Sequence, residues 1–387
     1  MTVDSMSGMC FFEHFGDYVI RDMEAAKESG VKIAGIYCIF APVELIYAAG
    51  ALPVGLCGKK QESIDVAETI LPTTLCPLIK SSFGYAVSNT CPFFEASDFI
   101  IGETTCDGKK KMFELMGQIK TLHLMHLPYT LHQQDALDYW YAQIHHLKTF
   151  LEEQTGNTIH PDDLACQIKW QNQIRLHFQK LMELNRLGNG RSPIKGMDLL
   201  PLMESKGFVM DIPGYLKQLD KVMNELQARQ EKEHKDAKAA KRILLTGTPL
   251  GKGSEKVLRL IEEVGGVVVC MENCTGIKGI YTLVDETCAD PFLAIAKRYL
   301  ETPCACMTPN ERRIELVSSL IEDYGIQGVV DLSWQCCTTY QVESVSLKKT
   351  VEERFDIPFI NISTDYSTAD MGQLRVRIEA FIELITG

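Results

Sequence analysis

The sequence predicts an α/β protein, two doubly wound parallel-sheet domains joined by a helical region. Three observations carry this expectation. Short apolar runs alternate with amphipathic stretches of helical period near both ends of the chain. Turn signals built from Gly, Pro, Thr and Asn close most of the apolar runs. A long polar, helix-prone stretch separates the two alternating regions. With 387 residues and ~100–200 residues per domain, the expected division is an N-terminal α/β domain over 1–130, a helical connecting region over 131–241 and a C-terminal α/β domain over 242–387.

In the first domain Val31 to Tyr37 reads as a strand, Pro42 to Ala49 as a helix and Ala51 to Leu56 as a strand. Leu78 to Val87 follows as a helix, Ser97 to Gly102 as a strand, Lys109 to Met116 as a helix and Thr121 to Met125 as a strand. The middle region ends in Gln230 to Arg242, almost wholly charged residues and Ala, which reads as a solvated helix. The last domain opens on the apolar run Arg242-Ile-Leu-Leu-Thr246 and the turn Gly247-Thr-Pro-Leu-Gly251. A helix from Ser254 to Val264 follows, with Val257, Leu258, Leu260 and Ile261 on one side, then the strand Gly266-Val-Val-Val-Cys270. Helices over 291–300 and 310–324, the second with a Pro309-Asn310 cap signal, precede the strand Gln327 to Ser333. A helix over Val342 to Phe355 and a strand over Pro358 to Ile362 complete the pattern. Strands alternating with helices of this length make parallel sheets of the Rossmann/flavodoxin-like kind.

Composition narrows the function. The net charge of −12 opposes nucleic-acid binding, which needs a basic surface. Hydrophobic residues make up 45%, enough to bury a core, so disorder is not expected. The most apolar stretch, Gly35 to Gly58, is interrupted by Pro42, Glu44 and Pro53 and reads as no membrane span. Met1 to Phe15 lacks the basic and apolar regions of a signal peptide. The expected location is therefore cytoplasmic, where thiols stay reduced and the sequon Asn361-Ile362-Ser363 has no meaning.

The 14 cysteines are the unusual feature. No C-x2-C pair completed by histidine is present, so a zinc ribbon fits poorly. Cys38 ends the first predicted strand, and Cys106 lies in the turn Thr104-Thr-Cys-Asp-Gly-Lys109 after the third. Cys274 follows the strand ending at Cys270, and Cys336-Cys337 follow the strand ending at Ser333. Ligands of open parallel sheets bind beyond the carboxyl ends of strands, so cysteines of both halves are expected to converge on one interdomain cleft. Cys76 and Cys91 each precede a proline, and Cys76 stands just before a helix, where the dipole favours thiolate. Dispersed thiolates without imidazole suit an iron–sulfur cluster better than zinc. Cys10, Cys166, Cys270 and Cys288 read as small buried hydrophobes, and Cys304-x-Cys306 reads either way.

Several segments carry a resemblance: Gly35-Ile-Tyr-Cys-Ile-Phe-Ala-Pro-Val-Glu-Leu45, Leu75-Cys-Pro-Leu-Ile-Lys-Ser-Ser82, Gly102-Glu-Thr-Thr-Cys-Asp-Gly-Lys-Lys-Lys111 and Glu272-Asn-Cys-Thr-Gly276. Cys304-Ala-Cys-Met-Thr-Pro-Asn-Glu-Arg312, Gln335-Cys-Cys-Thr-Thr-Tyr340 and Thr364-Asp-Tyr-Ser367 extend it. Together, in order from about residue 30 to the end, they resemble the 2-hydroxyacyl-CoA dehydratase D-component superfamily. Cys38, Cys91 and the Thr-Thr-Cys-Asp-Gly-Lys-Lys-Lys form are most similar to its double-cubane cluster protein branch.

The resemblance implies a [4Fe–4S] cluster held by Cys76, Cys106 and Cys337, with one iron open to substrate. In the double-cubane branch a second cubane is joined through a bridging sulfide, an [8Fe–9S] centre, for which Cys38, Cys91 and Cys274 are the expected ligands and Cys304 and Cys306 the reserve. It further implies an oxidoreductase of anaerobic metabolism, most often a homodimer. A separate ATP-hydrolysing iron–sulfur activator would feed it low-potential electrons for the reduction of a small molecule. This chain has no G-x-x-x-x-G-K-[ST] loop, so ATP is expected on the partner. The alternatives are an (R)-2-hydroxyacyl-CoA dehydratase subunit with a single [4Fe–4S] cluster, and a non-catalytic electron-transfer or cluster-storage protein. Glu44 is the expected proton donor beside Cys38, against the plainer reading of a helix-surface carboxylate. Lys109, Lys110 and Lys111 either offset cluster charge or form a solvated helix face, and Thr246 to Gly251 reads as an ordinary strand-to-helix turn.

Overall fold

The computed structural model describes residues 7–131, 133–186, 193–233 and 241–385. Eight strands form two four-stranded sheets, parallel throughout. The first contains β1 (Ile33–Ile36), β2 (Leu52–Gly55), β3 (Phe99–Glu103) and β4 (Leu122–Met125) in the order β2-β1-β3-β4. The second contains β5 (Lys241–Gly247), β6 (Gly266–Glu272), β7 (Gly328–Trp334) and β8 (Phe359–Thr364) in the order β6-β5-β7-β8. The two orders are the same, each the opening of a flavodoxin-like sheet. The expected fold is therefore the observed one.

Burial follows strand position. Every residue of β1, β3 and β7 is buried, because inner strands of a parallel sheet are covered on both faces. β4 and β8 are partly exposed at the sheet edges. Pro53, which donates no ladder hydrogen bond, sits in edge strand β2.

Helix starts differ from the sequence expectation in a way that matters for the site. The helix expected from Leu78 begins at Pro77, that from Lys109 at Asp107 and that from Val342 at Thr338. Cys76, Cys106 and Cys337 thereby become the N-cap residues of these three helices. The Asn310 side chain does not cap the helix Glu311–Tyr324; its amide donates to Cys304 O at 3.0 Å and to Glu343 Oε1 at 2.5 Å. Helices at Phe15–Glu28 and Met371–Leu384 were not anticipated, although Leu374, Ile378, Phe381 and Ile382 bury one face of the second at helical spacing.

The middle region forms the helices Gln134–Thr155, Pro161–Glu183, Gly196–Ser205 and Ile212–Glu233. These are more than a connector. Trp140, Leu147 and Leu151 join the core that holds Phe99 and Ile101 of β3, whereas Phe178, Leu199 and Leu202 pack into the core of β5 and β6. At the expected solvated helix, Gln230 is instead buried and donates to Leu184 O, while residues 234–240 lie outside the described residues. Near the site, the Tyr366 hydroxyl after β8 reaches Gly58 O after β2 at 3.4 Å and ties the two halves together. Among the described residues no helix is long and apolar enough to cross a membrane.

Candidate functional site

The ends of both sheets open into one cavity of about 820 Å³. Among the described residues, nine cysteines line it. Cys38 follows β1, Cys57 follows β2 and Cys106 follows β3; Cys274 follows β6, and Cys336 and Cys337 follow β7. Cys76 enters from its helix N-terminus, and Cys304 and Cys306 from the loop after the helix Pro291–Leu300. In each sheet the loops after the two central strands flank the point where strand order reverses, the usual ligand position in such folds. Here the two reversal points share a cavity.

The thiols act on one another across the two halves. Cys38 and Cys274 perturb each other's ionisation, as do Cys76 and Cys337, while Cys304 and Cys306 do so within their loop. Each pair holds one thiol proton more firmly than the other. The neighbouring Cys306 thiol, helped by the Lys278 ammonium, brings Cys304 down to about 6. The neighbouring Cys76 thiol, with the Tyr340 backbone N–H of the helix it caps, brings Cys337 down to about 7. Cys274 is lowered by the neighbouring Cys38 thiol, whereas Cys38, Cys76 and Cys306 are pushed well up by their thiol partners and by burial. Burial also raises Cys106, against the pull of the Lys109 backbone N–H. No histidine among the described residues lines the cavity.

Two buried ammonium groups face this sulfur-rich surface. Lys109 Nζ donates to Tyr37 O at 3.3 Å and lines the cavity. Although burial opposes its charge, the Cys38 and Cys57 sulfurs hold its pKa up. Lys278, wholly buried, pairs with Glu272 at 3.0 Å and donates to the Tyr340 hydroxyl at 3.0 Å. Arg313 completes a charge network beneath the second sheet's end, meeting Glu272 at 3.3 Å, Asp331 at 3.6 Å and Glu343. Lys110 and Lys111 do face solvent, where they pair with Asp107 and Glu114.

Two expected site residues stand elsewhere. Cys91 caps the short helix Pro92–Ala96 and is not part of the cavity lining. Glu44 is fully buried, accepting from Arg175 Nη2 at 2.6 Å and from the Tyr299 hydroxyl at 2.7 Å. Against burial, Arg175 and Tyr299 hold its carboxyl below the usual range, which suits a structural anion better than a proton donor. The side chains of the turn Thr246 to Gly251 are satisfied by the neighbouring strands: the Thr248 hydroxyl donates to Leu332 O at 2.9 Å and Thr246 pairs with Glu272.

A family model described as 2-hydroxyglutaryl-CoA dehydratase, D-component, matches residues 38–385. The chain belongs to that family. It is 42% identical over 360 residues to YjiM of Escherichia coli, provisionally named a dehydratase subunit, covering 93% of both chains. It is 22% identical to the (R)-phenyllactyl-CoA dehydratase beta subunit of Clostridium sporogenes, covering 97% of this chain and 98% of that protein. With one subunit of the benzoyl-CoA reductase of Thauera aromatica it shares 20% identity, covering 92% and 91%.

In this D-component chain, sequence reasoning missed Cys57 and Glu103 as residues of the site. The Cys57 thiol donates to Tyr37 O at 2.8 Å, and its signal was the same strand-end position that singled out Cys38. Glu103, the last residue of β3, is fully buried and is pushed well above the usual carboxylate range by burial and by Cys38. An acid placed directly before a Cys-bearing turn, in Glu103 as in Glu272, is the pattern that would have found both acids.

Proposed function

We propose that the chain is an iron–sulfur reductase component with a double-cubane centre, which takes low-potential electrons from an ATP-hydrolysing activator and reduces a small molecule. The observation that carries this reading is the nine thiols in one imidazole-free cavity. A single [4Fe–4S] cluster takes at most about four thiolates, and this surface offers many more.

The donor set fits such a centre. Cys76, Cys106 and Cys337 would hold one cubane, each at the N-cap of a helix whose first turn favours thiolate. Cys38 and Cys274 would hold the second, with Cys304 and Cys306 supplying its remaining thiolate in place of Cys91, which is not part of the lining. The bound centre would supply low-potential electrons to a small molecule in the cavity. The chain's own residues do the rest: Lys109 and Lys278 offset sulfur charge from below, and Ile36, Ile79, Ile280 and Trp334 give the cavity apolar walls that limit water.

A second reading, one subunit of an (R)-2-hydroxyacyl-CoA dehydratase with a single [4Fe–4S] cluster, is favoured by the names of the relatives that the chain matches end to end. Iron and acid-labile sulfide per chain after anaerobic purification separate the two. About eight irons per chain supports the double cubane, about four supports the dehydratase reading, and none after reconstitution rejects both. Reduction of a small substrate only with activator and ATP distinguishes a reductase from an electron carrier.

A further inference from the structure

The cavity has a second, chemically different end. Helices Pro161–Glu183 and Pro291–Leu300 supply Gln171, Arg175, Arg298 and Tyr299 to its wall, each less than one tenth exposed. One carboxylate, Glu44, stands among two guanidinium groups here. Arg175 consumes it: Nη2 meets Glu44 Oε1 at 2.6 Å and the Tyr299 hydroxyl at 3.2 Å, while Nη1 donates to Asn172 Oδ1 at 3.0 Å. The second Glu44 oxygen is taken by the Tyr299 hydroxyl.

Arg298 is left over. It stacks on the Tyr299 ring with its guanidinium carbon 4.5 Å from the centroid, and its Nη2 donates to Gly279 O at 2.6 Å. Its Nε is buried without an acceptor. Gln171 Nε2, on the facing helix, is likewise buried, and the nearby group its side chain acts on is the Tyr47 hydroxyl. A buried cation without a counter-charge is costly, and so is a buried donor without an acceptor. Burial and the repulsion of Arg175 bring Arg298 down to about 10, against the pull of Tyr299 and Glu44.

We propose that Arg298, with Gln171 on the facing helix of the same cavity wall, forms a subsite for a small planar oxyanion, the carboxylate of an organic substrate or an inorganic oxyanion such as nitrate. A guanidinium presents paired N–H donors that match the geometry of such a group. The subsite would hold the anionic end of a ligand whose other end points to the thiols, and would reject neutral analogues. This assignment rests on the protein's own charges and stands whichever cluster the thiols hold.

The test is isothermal titration calorimetry of acetate and of nitrate into the anaerobically purified full chain, at constant ionic strength. Saturable binding of at least one anion is expected. It should weaken about tenfold or more in Arg298→Met, which keeps the apolar stem and removes the charge, and less in Arg298→Lys. Acetate binding more tightly than nitrate assigns the site to a substrate carboxylate, and the reverse assigns it to an inorganic oxyanion. No saturable binding of either anion to the unaltered chain, or equal affinity in Arg298→Met, overturns the proposal. If circular dichroism shows that Arg298→Met does not fold, Arg298→Lys and Gln171→Leu decide, and unchanged affinity in both overturns it. Iron measured on the same samples keeps a failure of the cofactor reading separate from a failure of the anion subsite.

Discussion

Glu44 and Arg175 form an ion pair of 2.6 Å with side-chain exposures of 0% and 6%. The pair pins the helix Val43–Ala48, behind β1, to the long helix Pro161–Glu183. Removing one partner of a buried pair leaves the other uncompensated. Glu44→Gln is therefore expected to cost about 3–5 kcal/mol of stability, and Glu44→Leu with Arg175→Met much less than the sum of the single changes. Denaturant unfolding of these variants beside the unaltered chain measures both. Because the folded carboxyl lies below its unfolded pKa, this stability is present above the unfolded value and is lost as pH falls through the folded one.

His123 supplies a second acid-sensitive position. It lies on β4 with its ring stacked on Phe150 at 4.9 Å, and burial, with His146 and His126, brings its pKa down to about 4. An unfolded histidine titrates at roughly 6.5. As pH falls between these values the unfolded chain takes up the proton first, so stability is lost with falling pH across that window. His123→Phe should flatten that part of the curve, leaving a smaller difference between urea midpoints at neutral pH and at about pH 4.5. The same slope in both proteins would contradict the burial argument.

Serine substitutions test the thiol assignment. Cys106→Ser, Cys337→Ser, Cys38→Ser and Cys274→Ser are each expected to lower iron content after anaerobic purification, since these side chains line the cavity. Cys91→Ser and the exposed Cys166→Ser should keep the full complement. An equal loss in Cys91→Ser would restore that residue to the ligand set and displace Cys304 and Cys306.

Gly84 tests the helix that carries Cys76. A Cβ at this position would stand 1.8 Å from Ser63 O, a backbone atom that cannot rotate away. Gly84→Ala should force the helix Pro77–Ser88 off its neighbour and cost roughly 1–3 kcal/mol or more. Calorimetric unfolding measures the loss, and lower iron in the folded fraction would show that Cys76 moved with the helix.

Much of the architecture was legible because a parallel sheet buried on both faces needs contiguous apolar runs, and each run needs a turn to reach its helix. The runs around Ile33–Ile36, Phe99–Glu103 and Gly328–Trp334 meet that need and are three of the four inner strands of the two sheets. Pro77 at the first helical position likewise announced its helix. The final helix carried the same kind of periodic signal at Leu374, Ile378 and Phe381, and the sequence reading passed over it.

The amino-acid order alone thus determined the α/β class, the supply of thiols and their placement at strand ends, because these depend on local period and on neighbours in the chain. Which thiols share a cavity was decided in three dimensions: Cys57 enters it and Cys91, with an equally suggestive Cys-Pro motif, does not. The same holds for charge. Glu44 became a structural anion only because the fold brought Arg175 to it, and Arg298 was left without a counter-ion because that one carboxylate was already taken. Pairing between residues more than a hundred positions apart leaves no periodic trace in a sequence, since it is set by how sheets and helices pack.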